Sequence, residues 1–137
     1  MARSSVRVAG VVVKWVRGDK EANVRRVERL IRAAAAEGAQ IVCTTECFLD
    51  GYAIADSSIP LDDYRRLGEP IPDGPYCRRL AALAGELKIC LVAGMLEADG
   101  EARYNTAVLF GADPFEDDAG HAHGGRRGGV RIGRLER

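Results

Sequence analysis

Glu46 is a carboxylate well placed for proton transfer. It lies three residues past Cys43, the last residue of the short apolar run Gln40-Ile41-Val42-Cys43, which reads as a strand. In open α/β sheets, ligands bind outside the carboxyl ends of parallel strands. A carboxylate there acts as a general base when burial or a neighbouring charge raises its affinity for a proton. The position alone decides little, because many strand-end glutamates simply face water. The chain has four cysteines, Cys43, Cys47, Cys77 and Cys90. Cys43 and Cys90 sit in apolar runs and read as small core residues. Cys47 follows Glu46 directly, but adjacency in sequence does not make it a nucleophile, and it reads as a partly buried small residue. Cys43 and Cys47 are four apart with no second close pair after them, which matches no zinc spacing. Asp117, Asp118, His121 and His123 have the side chains for zinc or nickel. They stand among glycines with nothing to orient an imidazole, so they read as solvated loop residues.

The elements around Glu46 follow from hydrophobic periodicity. Val6 to Val13 is short and β-branched, as in a buried strand. Asp19 is a natural N-cap for a helix over Lys20 to Glu37, whose Val24, Val27, Leu30, Ile31 and Ala34 recur at helical spacing. Gly38 suits the residue just past its end. A strand, a full helical crossover and the strand Gln40 to Cys43 make a parallel βαβ unit. Residues 53–74, punctuated by Pro60, Pro70, Pro72 and Gly74, read as loop and short helix. Pro75 opens a helix with Leu80, Leu83, Ala84 and Leu87 on its apolar face. Ile89 to Met95 is a third strand, Asp99-Gly100 a hairpin turn, and Tyr104 to Phe110 the return strand. The order β-α-β-α-β-β is that of an α/β domain over residues 1–110.

Beyond Phe110 the composition changes. Residues 111–137 hold seven glycines and five arginines and few apolar side chains. Such a stretch is too polar and glycine-rich to order itself, apart from one short strand open to Val130, Ile132 and Leu135. Twenty basic residues balance twenty acidic ones, which gives no electrostatic case for nucleic acid or an anionic membrane. No apolar run approaches the roughly 20 residues of a membrane span, and Val8 to Val13 is too short for a secretory leader. The reading is a cytoplasmic protein with reduced thiols.

Read in order, these segments resemble the start of the nitrilase, or carbon–nitrogen hydrolase, superfamily. The residues that carry the resemblance are Val11-Val12-Val13, the helix opening at Asp19-Lys20-Glu21-Ala22-Asn23, and Ile41-Val42 running into Thr45-Glu46-Cys47-Phe48-Leu49-Asp50-Gly51-Tyr52. Leu91-Val92-Ala93-Gly94 and Tyr104-Asn105-Thr106-Ala107-Val108-Leu109 complete it. The segment Thr45 to Tyr52 is like the family's P-E-x-F-x-x-G-Y, with Thr45 in place of the usual proline. The resemblance implies a four-layer αββα sandwich, here partial and followed by an irregular tail. It implies self-association, no cofactor or metal, and cleavage of small non-peptide amides, nitriles or carbamoyl groups. It also implies a mechanism with a glutamate base, a lysine facing the tetrahedral intermediate and a cysteine nucleophile. By motif Glu46 is the base. The other two do not transfer: the chain has three lysines, Lys14, Lys20 and Lys88, and no lysine after Lys88 or cysteine after Cys90. Arg126, Arg127 and Arg131 have no surrounding pattern to support them as substitutes, and a planar guanidinium is a different tool.

The expectation is therefore a truncated family member, inactive alone, whose strands supply only part of a layered core. A frameshifted gene end and a genuine shortened relative both give this pattern. A non-catalytic partner that docks on a full-length relative through its sheet is an alternative reading. A small-molecule or nucleotide-binding α/β module is another, weakened by a connection after the first strand with a single glycine, Gly18. Tyr52 either lines a pocket or packs on the helix layer. Asn105 either serves backbone groups near the site or pairs across the hairpin.

Overall fold

The helical and alternating periodicities are realised as one sheet carrying one layer of helices. The computed structural model describes residues 5–111 and the backbone of 130–135. In chain order the elements are β1 (Val8–Val11), α1 (Lys20–Ala36), β2 (Ile41–Thr44), a 3-10 turn (Ala53–Ala55), α2 (Leu61–Arg66), β3 (Glu69–Pro70), α3 (Pro75–Leu87), β4 (Cys90–Asp99), β5 (Ala102–Phe110) and β6 (Val130–Leu135). The sheet runs β1-β2-β4-β5-β6, with β3 beside the far end of β4. β1, β2 and β4 are parallel, and β4, β5 and β6 antiparallel. This is half of the four-layer arrangement that the sequence implied. β6 falls on the residues the sequence left open to a short strand; the other tail residues, 112–129 and 136–137, lie outside the described ones.

Local chemistry sets the helix ends. Asp19 accepts from the N–H of Ala22 at 2.9 Å, and Gly38 takes a φ of +87° just past the end of α1. Val24, Val27 and Ile31 of α1 and Cys77, Leu80, Leu83 and Ala84 of α3 are buried in one cluster with Val11, Val42, Leu91, Ala93, Met95, Val108 and Phe110 of the sheet. Burying each large aliphatic side chain contributes roughly 1.5–3 kcal/mol, so this layer holds most of the driving force for folding. Arg79 reaches Glu28 at 2.6 Å and Glu21 at 3.2 Å, and Arg32 reaches Glu86 at 2.6 Å, tying α1 to α3 at the surface. Leu30, expected on the apolar face, is instead exposed, because α3 reaches only the Val24–Val27–Ile31 side of α1. No described helix is long and apolar enough to cross a membrane.

The two faces of the sheet differ sharply. Successive side chains of a strand point to opposite faces. Val42, Leu91, Ala93, Met95, Val108 and Phe110 face the helices and are buried. Their alternates, Ile41, Cys43, Cys90, Val92 and Leu109, are only half-buried, and Ala107 is exposed. At the end of this face Val8 is 59% and Val12 77% exposed. The sheet is thus sealed on one side, and among the described residues it is open on the other.

Candidate active site

β2 delivers the chain to the open face. After Thr44 the backbone turns through residues 46–50 and crosses β4 at Gly94. A Cβ on Gly94 would stand 2.8 Å from Glu46 Cα and 2.8 Å from the Thr45 carbonyl oxygen, so the crossing requires glycine there. The Phe48 N–H donates to the Gly94 carbonyl at 3.2 Å, and the Gly94 N–H to Thr44 Oγ1 at 3.1 Å. Cys47 takes a left-handed φ of +45°, which reverses the chain so that Phe48 and Leu49 drop into the core.

The far end of the turn is locked from below. Buried Asn23 of α1 accepts from the Val16 N–H at 2.6 Å and donates to the carbonyls of Val16 at 2.7 Å and Leu49 at 3.0 Å. The Asp50 carbonyl accepts from Gly18 at 2.9 Å, and Asp50 Oδ2 accepts from the Ala53 N–H at 2.8 Å. Asp50 Oδ1 is buried with no hydrogen-bond partner among the described residues. Burial holds the Asp50 carboxyl above the usual carboxylate range, against the Ala53 N–H and the charges of Lys20 and Arg17. Tyr52 packs against Trp15 of the β1–α1 connection, with ring centroids 6.5 Å apart.

Glu46 thus stands at the carboxyl end of a central parallel strand, as its motif placed it. It is exposed rather than enclosed in a cleft, because its turn lies on the face that no described helix covers. Its Oε1 accepts a hydrogen bond from Asn105 Nδ2 of β5, and the Cys47 thiol donates to Asn105 Oδ1 at 3.6 Å. The Asn105 amide thus meets two side chains, Glu46 and Cys47, rather than the backbone groups near the site that the sequence suggested, while its backbone pairs with Leu96 across the hairpin.

The other candidates are dispersed. Cys77 is fully buried on the core-facing side of α3, and burial pushes its thiol up to about 12. Cys43 and Cys90 are half-buried on the open face, and none of the four cysteines is in a disulfide. No lysine among the described residues forms an ion pair with Glu46; Lys20 instead meets Glu69 at 2.7 Å. Among the described residues no group of three or more potential ligands gathers to hold a metal, and Asp117, Asp118, His121 and His123 lie outside those residues. Nothing in the sequence singled out the buried pair Glu69 and Glu97, in register on β3 and β4. Glu69 Oε1 accepts from the N–H groups of Tyr76 at 2.7 Å and Cys77 at 3.2 Å, and Glu97 from Thr106 Oγ1 at 2.6 Å. The one available signal was Pro75, which marks a helix start needing a cap.

Comparison with known proteins agrees with this geometry. The family model described as carbon-nitrogen hydrolase matches residues 7–121. A bifunctional nitrilase/nitrile hydratase, NIT4A of Lupinus angustifolius, is 37% identical over 119 residues, which are 79% of this chain and 34% of that protein. The omega-amidase NIT2 of Xenopus tropicalis is 37% identical over 95 residues, 69% of this chain and 32% of that protein. The crystal structure of an amidase from Nesterenkonia sp. superposes with a TM-score of 0.64 at 25% identity, covering 80% of this chain and 39% of that one. The chain therefore spans about a third of the length of the curated relatives it matches.

Proposed function

Since the chain belongs to the carbon–nitrogen hydrolase family, we propose that it carries the general-base portion of an amide- or nitrile-cleaving site and, by itself, turns over no substrate. The observation that supports this is Glu46, set over Gly94 on the open face and held by Asn105. In the family mechanism the base takes the proton of a thiol as its sulfur attacks the carbonyl or nitrile carbon, and a lysine stabilises the charge that develops. No thiol here fills that role. Cys47 is buried and engaged with Asn105 Oδ1, and Cys77 is sealed on the core-facing side of α3. Removal of a single member of such a catalytic set lowers rates by roughly 10⁴–10⁶-fold. The substrate class is a small non-peptide amide, nitrile or carbamoyl compound, and the setting is the cytoplasm. Neutral charge gives nucleic acid and membrane no hold.

Ammonia release from a panel of such compounds is expected to stay at the buffer rate for the purified chain. Turnover that Glu46→Gln abolishes would show that a nucleophile has gone unrecognised and would overturn the inactivity.

A second reading, docking through the sheet, is favoured by the exposure of Val8 and Val12 on the open face. Such an apolar surface recruits partners, and the partner here is a full-length relative or a second copy. Gel filtration across a hundredfold concentration range is expected to show concentration-dependent association, weakened by Val12→Lys. A monomer at every concentration speaks against docking between copies.

A further inference from the structure

We infer that Asn105 is the positioning residue for Glu46: its side-chain amide fixes which way the carboxylate points. The inference rests on the reading of Glu46 as the base. The backbone under Glu46 is already immobilised by Gly94, whose carbonyl holds Phe48, and by the left-handed Cys47. The side chain has no such support, because Glu46 is exposed and a free glutamate samples many rotamers. Asn105 supplies what is missing. It projects from β5 onto the same open face, opposite Leu96 of β4, and donates from Nδ2 to Glu46 Oε1.

The orientation of the amide follows from its two neighbours. A carboxylate oxygen accepts and a thiol can donate, so Nδ2 facing Glu46 and Oδ1 facing Cys47 satisfies both neighbours. The Cys47 contact at 3.6 Å therefore acts as a keeper that stops the amide from flipping. With Oε1 held by Asn105, Oε2 is the oxygen left to take a proton from whatever nucleophile completes the site. The link also couples the base to the β4–β5 hairpin, which neither Glu46 nor its turn belongs to.

The chain is well suited to a direct test, since Asn23, Gln40 and Asn105 carry its only side-chain amides. In a ¹⁵N-labelled sample the Asn105 NH₂ pair is expected to exchange with water slowly, and Glu46→Ala to speed that exchange by about tenfold or more, the strength of a hydrogen bond to a charged group. Asn23, buried against Val16 and Leu49, is the internal control and should keep its protection. If Glu46→Ala loosens Asn23 as well, Glu46→Gln is read in its place; it preserves size and should speed Asn105 exchange severalfold. An Asn105 amide indifferent to both substitutions overturns the positioning role while leaving the base assignment standing. Turnover by the chain that survives Glu46→Gln would sink the base assignment whatever the amide does.

Discussion

Glu69→Ala is expected to destabilise the fold by about 3–5 kcal/mol, the usual consequence of removing one partner from a buried ion pair. Glu69 is 1% exposed and serves three donors at once. Its Oε1 accepts the Tyr76 and Cys77 N–H groups in the first turn of α3, and its Oε2 meets Lys20 Nζ at 2.7 Å. Lys20 is itself largely buried and lies over the Tyr76 ring, 4.9 Å from its centroid. Alanine would orphan two helix-end donors and strip Lys20 of the carboxylate it is bonded to. Net stability of a domain is about 5–15 kcal/mol, so the loss takes a large share of it. Glu69→Gln keeps an acceptor for α3 and should cost less, because only the charge is lost. Urea unfolding measures both. A loss below about 1 kcal/mol for alanine, the range of exposed pairs, would mean that the pair is not the buried strut its geometry describes.

Alkaline pH should weaken the fold through Cys77. Burial raises its thiol from an ordinary value near 9 to about 12. The unfolded chain therefore ionises first. Stability from the neutral thiol is fully present below pH 9 and is lost progressively between pH 9 and pH 12. Three units correspond to about 4 kcal/mol at the upper end, as an order of magnitude. Cys77→Ala removes that dependence at the expense of a small cavity, so its stability should fall less between pH 9 and 11 than that of the parent. Parallel curves for the two chains would show that other groups, the tyrosines foremost, govern the alkaline loss.

These two predictions concern residues that the sequence did not point to, and the reason is physical. Periodicity reports which side chains seek an apolar layer, so Val24, Val27 and Ile31, or Leu91 and Ala93, could be read directly. The hairpin was legible too, since Asp99-Gly100 leaves few other conformations. Glu69 carries no such signal. It belongs to a two-residue strand that includes Pro70, and proline argues against a strand. Its burial depends on Lys20, forty-nine residues earlier, and on the N-terminus of a helix that begins only later. β4 runs to Asp99, beyond the Met95 where its apolar run was expected to end, because pairing with β3 and β5 supports the polar end of the strand. The site divides in the same way. Glu46 was found through its motif, and its side-chain partner Asn105 became evident only once β5 lay across the sheet from β2.

The sheet is asymmetric: helices seal one face, and among the described residues the face that carries Glu46 is open. Thiol labelling tests it directly, since the cysteines report on both faces. Cys43 and Cys90 lie half-buried on the open side and Cys77 fully buried on the sealed side. Monomer isolated at low concentration should be alkylated at Cys43 and Cys90 under native conditions, while Cys77 reacts only as fast as the whole domain unfolds. Protection of Cys43 and Cys90 as complete as that of Cys77 in the monomer would contradict the account, because that face would then already be covered.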